Sequence, residues 1–121
     1  MSGRANLAIW RYPRVEPLPH GRAALRQAAT ALAAAARVRD PKLRLDGPPH
    51  LVTVQRAPGI ELRGTERPDG RDRRFHSLHL FERRAEIVID AYAEPSQFAT
   101  LERGVFVPLL RSLRLFKPRR H

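Results

Sequence analysis

The residue types best suited to chemistry gather in one short stretch, His76-Ser77-Leu78-His79, with Asp90 on the segment that follows. Two histidines near a carboxylate are the raw material of a metal site or a proton relay. In a strand, however, side chains three positions apart point to opposite faces, so His76 and His79 are not expected to ligate one ion unless a bulge intervenes. The chain has no cysteine, and a zinc site would have to recruit His20 or His50 from loops. The histidines therefore read as structural or surface groups. Ser77, His79 and Asp90 can be drawn as a nucleophile, base and acid, but no strand-to-helix elbow of the Gly-x-Ser-x-Gly kind exposes the serine. That grouping reads as a coincidence of common residues.

Paired carboxylates offer little more. Glu61, Glu66, Asp69 and Asp72 are interleaved with Arg63, Arg67, Arg71, Arg73 and Arg74, the pattern of a solvated, charge-balanced hairpin. No Walker loop and no dinucleotide-type glycine pattern is present. The residues thus predict no catalytic group, no metal and no cofactor, and the chain reads as a non-enzyme. A ligand pocket between the sheet and the closing helix stays open as a reading, because pockets assemble from residues far apart in sequence.

Charge is the most conspicuous global feature. The 121 residues carry a formal net charge of +11, and clustered cations are the footprint of phosphate-backbone binding. Twenty-one of the 23 basic residues are arginine, a bias that GC-rich coding produces without selection for binding. The excess is also uneven: +6 over residues 1–49, zero over 50–94 and +5 over 95–121. A polyanion site would therefore be built from the ends of the chain, with Arg22, Arg26, Arg111, Arg114, Lys117, Arg119 and Arg120 as its residues. The neutral middle carries Phe75, Phe81 and Tyr92, which read as packing groups, since the glycine- and aromatic-rich signature of an RNA-reading sheet is missing.

These residues must be positioned by one small domain, because 121 residues cannot supply two cores. Residues 1–21 read as an edge strand, Asn6 to Tyr12, followed by a proline-rich linker through Pro13, Pro17 and Pro19. Residues 22–115 form the domain and 116–121 a basic tail. Arg22 to Arg39 is rich in strong helix formers, with Leu25, Ala28, Ala29, Leu32, Ala35 and Ala36 at helical spacing. Asp40-Pro41 stops it. From 50 to 92 the period changes to two: Leu51 to Gln55, a turn at Ala57-Pro58-Gly59, Ile60 to Thr65, a turn at Pro68-Asp69-Gly70, then Asp72 to Phe81 and Ala85 to Tyr92. Phe98, Leu101, Val105, Leu109 and Leu113 restore a helical period, with Gly104 and Pro108 expected to bend or divide that helix. The predicted fold is α+β: an antiparallel meander of about four strands with a helix before and a helix after, layered as a helix-sheet-helix sandwich. No apolar run approaches the ~20 residues of a membrane span. Leu7 to Trp10 is too short for a signal core, so the chain is expected to stay where it is made, or to be exported if upstream sequence is missing.

The stretch from Gly59 through Leu115 resembles the PsbP-like domains, a superfamily that includes the extrinsic photosystem II protein, a Ran-binding nuclear import factor, and bacterial DcrB-like and Eag-type chaperone proteins. The resemblance rests on the hairpin Arg67-Pro68-Asp69-Gly70-Arg71 feeding Phe75-His76-Ser77-Leu78-His79-Leu80-Phe81. It continues in Asp90-Ala91-Tyr92-Ala93-Glu94-Pro95 and in a closing helix with Phe98, Phe106, Leu109-Leu110 and Ser112-Leu113-Arg114. It implies a sandwich used for binding and not for turnover: a protein-binding or adaptor domain, engaging its partner through the exposed sheet face or the rim of the first helix, with Arg63, Arg73 and Arg74 on that surface. The alternative is non-specific binding of DNA or RNA through the basic ends.

Overall fold

The computed structural model describes residues 6–14, 18–19, 21–67, 70–82 and 84–112. In chain order the elements are β1 (Asn6–Pro13), α1 (Arg22–Arg39), β2 (Arg44–Leu45), β3 (His50–Val54), β4 (Ala57–Glu66), β5 (Arg73–Glu82), β6 (Ala85–Ala93), α2 (Pro95–Leu101), a π-helical segment (Glu102–Phe106) and α3 (Val107–Ser112). All strand pairs are antiparallel, in the order β1-β6-β5-β4, with β2 and β3 sharing the far edge of β4.

The registers sort the side chains. Leu78 lies opposite Ile89 and Leu80 opposite Ile87, so these four share one face with Ala91 and Ala93. Phe98, Leu101 and Phe106 of the closing helix pack on them. Leu78, Leu80, Ile89 and Phe106 are all but solvent-free, and each contributes about 1.5–3 kcal/mol relative to exposure. The other face carries Ile60 and Phe81, which with Leu25 and Ala29 of α1 form a second, smaller core.

Two features correct the sequence expectation of a four-stranded layered sandwich. The sheet has six strands. β1 extends it beyond β6, and the two-residue β2 adds to β4 with no periodic signal of its own, held where the Asp46 N–H donates to the Arg63 carbonyl at 2.9 Å. Nor are the layers even. The buried stripe of α1 is only Leu25, Ala29 and Ala33, so one leucine and the short alanines give it little area to bury. Its N-terminal half grips the β3–β4 corner and its C-terminal half leaves the sheet face open.

The connection between β3 and β4 is also displaced from its expected position. The turn is Gln55-Arg56, at φ 50° and 74°, the pair of positive angles of a tight two-residue hairpin. Ala57, Pro58 and Gly59 belong to β4, and Pro58 is tolerated because pairing with β5 begins only at Gly59. Gln55 Nε2 donates to the Leu110 carbonyl at 3.0 Å, tying this turn to α3. The closing helix divides where its glycine and proline fall. Pro108 has no N–H and its ring would crowd the Gly104 carbonyl, and the wide π turn, with Val107 N–H donating to Glu102, gives it room. Of the expected Pro68-Asp69-Gly70 turn, the first two residues lie outside the described residues, as do the linker residues 15–17 and the tail; Gly70 has the positive φ, 86°, that such a turn needs.

Candidate functional site

β5 is the spine of two polar clusters, one on each side of the sheet. Alternation sends Ser77 and His79 toward the α1 face and His76 toward the closing helix, so the two histidines serve different sites.

On the α1 face, Ser77 stands opposite Asp90 across the β5–β6 ladder, and its hydroxyl donates to Asp90 Oδ1 at 2.5 Å. His79 Nε2 lies 3.3 Å from the same hydroxyl oxygen, and its Nδ1 is 2.7 Å from Glu86 Oε2. Arg14 closes the chain on Glu86 at 2.6 Å. The carboxyl of Glu86 is held below its usual range by the His79 hydrogen bond first, with His79 and Arg14 charge adding to it against the cost of burial. Ser77, His79 and Asp90 thus do come together, but with roles other than those of a triad. The carboxylate that orients His79 is Glu86, and the one proton Ser77 can give is committed to Asp90. The neighbouring strand amides are spent on the ladder and offer no oxyanion donors. Glu86 was missed by sequence reasoning, although the meander register puts it diagonal to His79 on the same face.

Ser77, His79 and Asp90 of this cluster floor a cleft of about 780 Å³ under the C-terminal half of α1. Leu62, Phe75 and Tyr92 supply the apolar part of the floor, Leu32 and Ala36 the helix wall, and Arg39 and Lys42 the rim. Arg73 lies over the Tyr92 ring, 4.0 Å from its centroid, and is paired with Glu66 at 2.6 Å.

On the opposite face His76 is buried. Its Nε2 meets Glu61 Oε2 at 2.6 Å and its Nδ1 meets Glu102 Oε2 at 2.7 Å. Its ring lies 4.2 Å from that of Phe106, tilted by 31°. Arg63 pairs with the same Glu102, and His50 approaches Glu61 at 3.5 Å. The Glu61 carboxyl is pulled below its usual range, chiefly by the His76 hydrogen bond. Because Glu61 is on β4 and Glu102 on the π turn, the imidazole staples the closing helix to the sheet. Nearby, Arg74 grips Asp46 at 2.8 and 2.6 Å, which lowers the Asp46 pKa and raises that of Arg74. Among the described residues no group of three or more His, Asp or Glu side chains is placed to hold a metal ion.

The other residues singled out from the sequence fall as follows. Arg63 and Arg74 lie on the closing-helix face and Arg73 on the cleft face, each in an ion pair. Arg22 and Arg26 are on exposed positions of α1 beside the Pro48-Pro49 loop, whereas Arg111 is on α3, across the sheet. Arg114, Lys117, Arg119 and Arg120 lie outside the described residues. The cleft opens under the first helix and not under the closing one. Among the described residues no helix is long and apolar enough to cross a membrane.

No protein family matches the chain, and no curated protein matches it. Among solved structures it is similar to PA94 of Pseudomonas aeruginosa, a protein of unknown function, with a TM-score of 0.69 and 15% identity over 98% of this chain and 86% of that one. At that identity the likeness carries the fold alone.

Proposed function

We propose that this chain is a non-enzymatic protein-binding module of PsbP-like fold that receives a segment of its partner in the cleft beneath α1. The observation that carries the reading is the half-covered sheet face. A 780 Å³ cleft mixes apolar floor residues with hydroxyl, imidazole and carboxylate groups, the mixture a side-chain-bearing segment meets with both packing and hydrogen bonds. The polar groups of the floor are already engaged with one another, which suits recognition better than proton transfer. The resemblance of the Gly59–Leu115 stretch to binding domains supports the same reading.

Filling the cleft from the helix side tests it. Ala36→Trp places an indole in the opening from the helix side and leaves Ser77, His79 and Glu86 unsubstituted. A partner that co-purifies with the native chain is expected to be lost from this variant while its thermal unfolding stays cooperative. Retention of the partner by Ala36→Trp contradicts the reading. A chain that instead binds DNA or RNA with affinity falling steeply as salt rises supports the basic-ends alternative.

A further inference from the structure

We propose that the segment received by the cleft is acidic, with a carboxylate set beside an apolar side chain, an inference that rests on the reading of the cleft as a protein-binding site and deepens it. The charges that line the cleft divide into engaged and unengaged groups. Among the described residues its carboxylates are those of Asp40, Glu66 and Asp90, and each is occupied within the chain. Asp40 accepts from the Lys42 and Arg67 backbone N–H groups at 3.1 and 3.4 Å. Glu66 is held by Arg73 through Nε at 2.8 Å and Nη2 at 2.6 Å, and Asp90 accepts from the Ser77 hydroxyl.

The cations of the lining, Arg39, Lys42, Arg67 and Arg73, are matched less evenly. Arg73 is spent on Glu66 and on the Tyr92 ring, 4.0 Å from its centroid. Arg67 is spent on Asp72 at 3.0 Å and on the Gly70 carbonyl at 2.8 Å. The side chains of Arg39 and Lys42 have no ion-pair or hydrogen-bond partner among the described residues, and both are exposed where the chain leaves α1. A cation in the last helical turn has a structural reason, the negative end of the helix dipole, which accounts for Arg39. Lys42 lies past the helix end and has no such role. The uncompensated charge of the cleft is therefore positive, and it sits at the α1 C-terminus.

The floor decides what accompanies the acid. Phe75 stands between Tyr92 and the bare Gly64 across the strands, and Leu62 lies in the next row opposite Ser77, so an apolar surface shares the cleft with the two unengaged cations. An apolar side chain gains burial there, while a neighbouring carboxylate reaches the rim. The acid itself is excluded from the floor, because Asp90 lies there and like charges in a partly buried site repel. A basic segment would meet Arg39 and Lys42 with every lining carboxylate already engaged. A phosphate backbone is met by long rows of cations, whereas two cations beside an apolar floor suit a carboxylate-bearing side chain next to an apolar one.

Selection of a phage-displayed random peptide library on the full chain at moderate salt is the test, with the selected sequences remade as labelled peptides and their affinities read by fluorescence anisotropy. Peptides whose binding is lost in Ala36→Trp occupy the cleft, and these are expected to carry Asp or Glu beside an apolar residue. Arg39→Gln with Lys42→Gln is expected to weaken them about three- to tenfold. Both side chains are exposed, so the variant should unfold at the native temperature. Arg11→Gln with Arg103→Gln removes the same two charges from exposed positions on the closing-helix side, and affinity should then stay within about twofold of the native value. Cleft-binding peptides with no acidic bias overturn the proposal, as does equal weakening by the two double variants, which would assign the effect to bulk charge. Either result leaves the protein-binding reading of the cleft standing. A selection that yields no peptide sensitive to Ala36→Trp overturns both.

Discussion

At the scale of single residues, the molecule depends most on an imidazole that no sequence motif advertises. His76 shares its two ring nitrogens between Glu61 and Glu102. His76→Phe would leave two partly buried carboxylates without their shared partner, and a loss of about 2–4 kcal/mol in urea unfolding is the expected result. Glu61 and Glu86 both titrate below their usual range in the folded chain. Their stabilisation is complete above the ordinary glutamate value of 4.5 and is lost as pH falls through the lower folded values. Unfolding midpoints measured from pH 6 down to 3 should therefore drop below pH 4.5, and Glu86→Gln should make that drop shallower. The opposite orientation of His76 and His79 was legible because strand parity is a local property, whereas the meeting of Ser77, His79 and Asp90, read from the sequence as a coincidence, depends on the β5–β6 register. Glu102 was not, because it comes from the closing helix 26 residues beyond His76. Nor was Arg14, 72 residues from Glu86.

Elements show where local rules end. The first helix and the alternation of β4 to β6 followed from periodicity, since each has a buried stripe, whereas the edge strand was legible from the prolines that end it and has no buried residue. β2 did not: two residues have no period, and only the closeness of β4 makes them a strand. That closeness needs Gly64, where a Cβ would press on the Arg44 carbonyl and approach the Phe75 ring. Gly64→Ala should cost about 1–3 kcal/mol, the usual penalty of overpacking, read as a lower urea midpoint. Gly104, by contrast, has open space at its Cβ position, and Gly104→Ala should be neutral or gain about 0.5–1 kcal/mol from reduced chain entropy. The misplaced β3–β4 turn has the same lesson. Ala57-Pro58-Gly59 carries turn-forming residue types, yet the chain reverses at Gln55-Arg56, because register against β5 and the Gln55 bond to Leu110 outweigh local preference.

For the whole molecule, uneven coverage of the sheet matters more than the net charge that dominates the composition. The closing helix seals one face with phenylalanine and leucine, whereas an alanine-lined α1 can seal only a corner of the other. That difference is written in residue sizes, but its consequence, a cleft floored by Ser77, His79, Phe75 and Tyr92, required the path of α1 over the sheet. A photoreactive amino acid at position 36, inside the cleft, compared in the native host with one at Ala99 on the exposed side of α2, reports whether a partner's segment enters the cleft. A discrete polypeptide adduct is expected from position 36, absent from position 99 and abolished when Ser77→Tyr fills the floor. Adducts of equal yield from both positions, or cross-linking to nucleic acid alone, would contradict it.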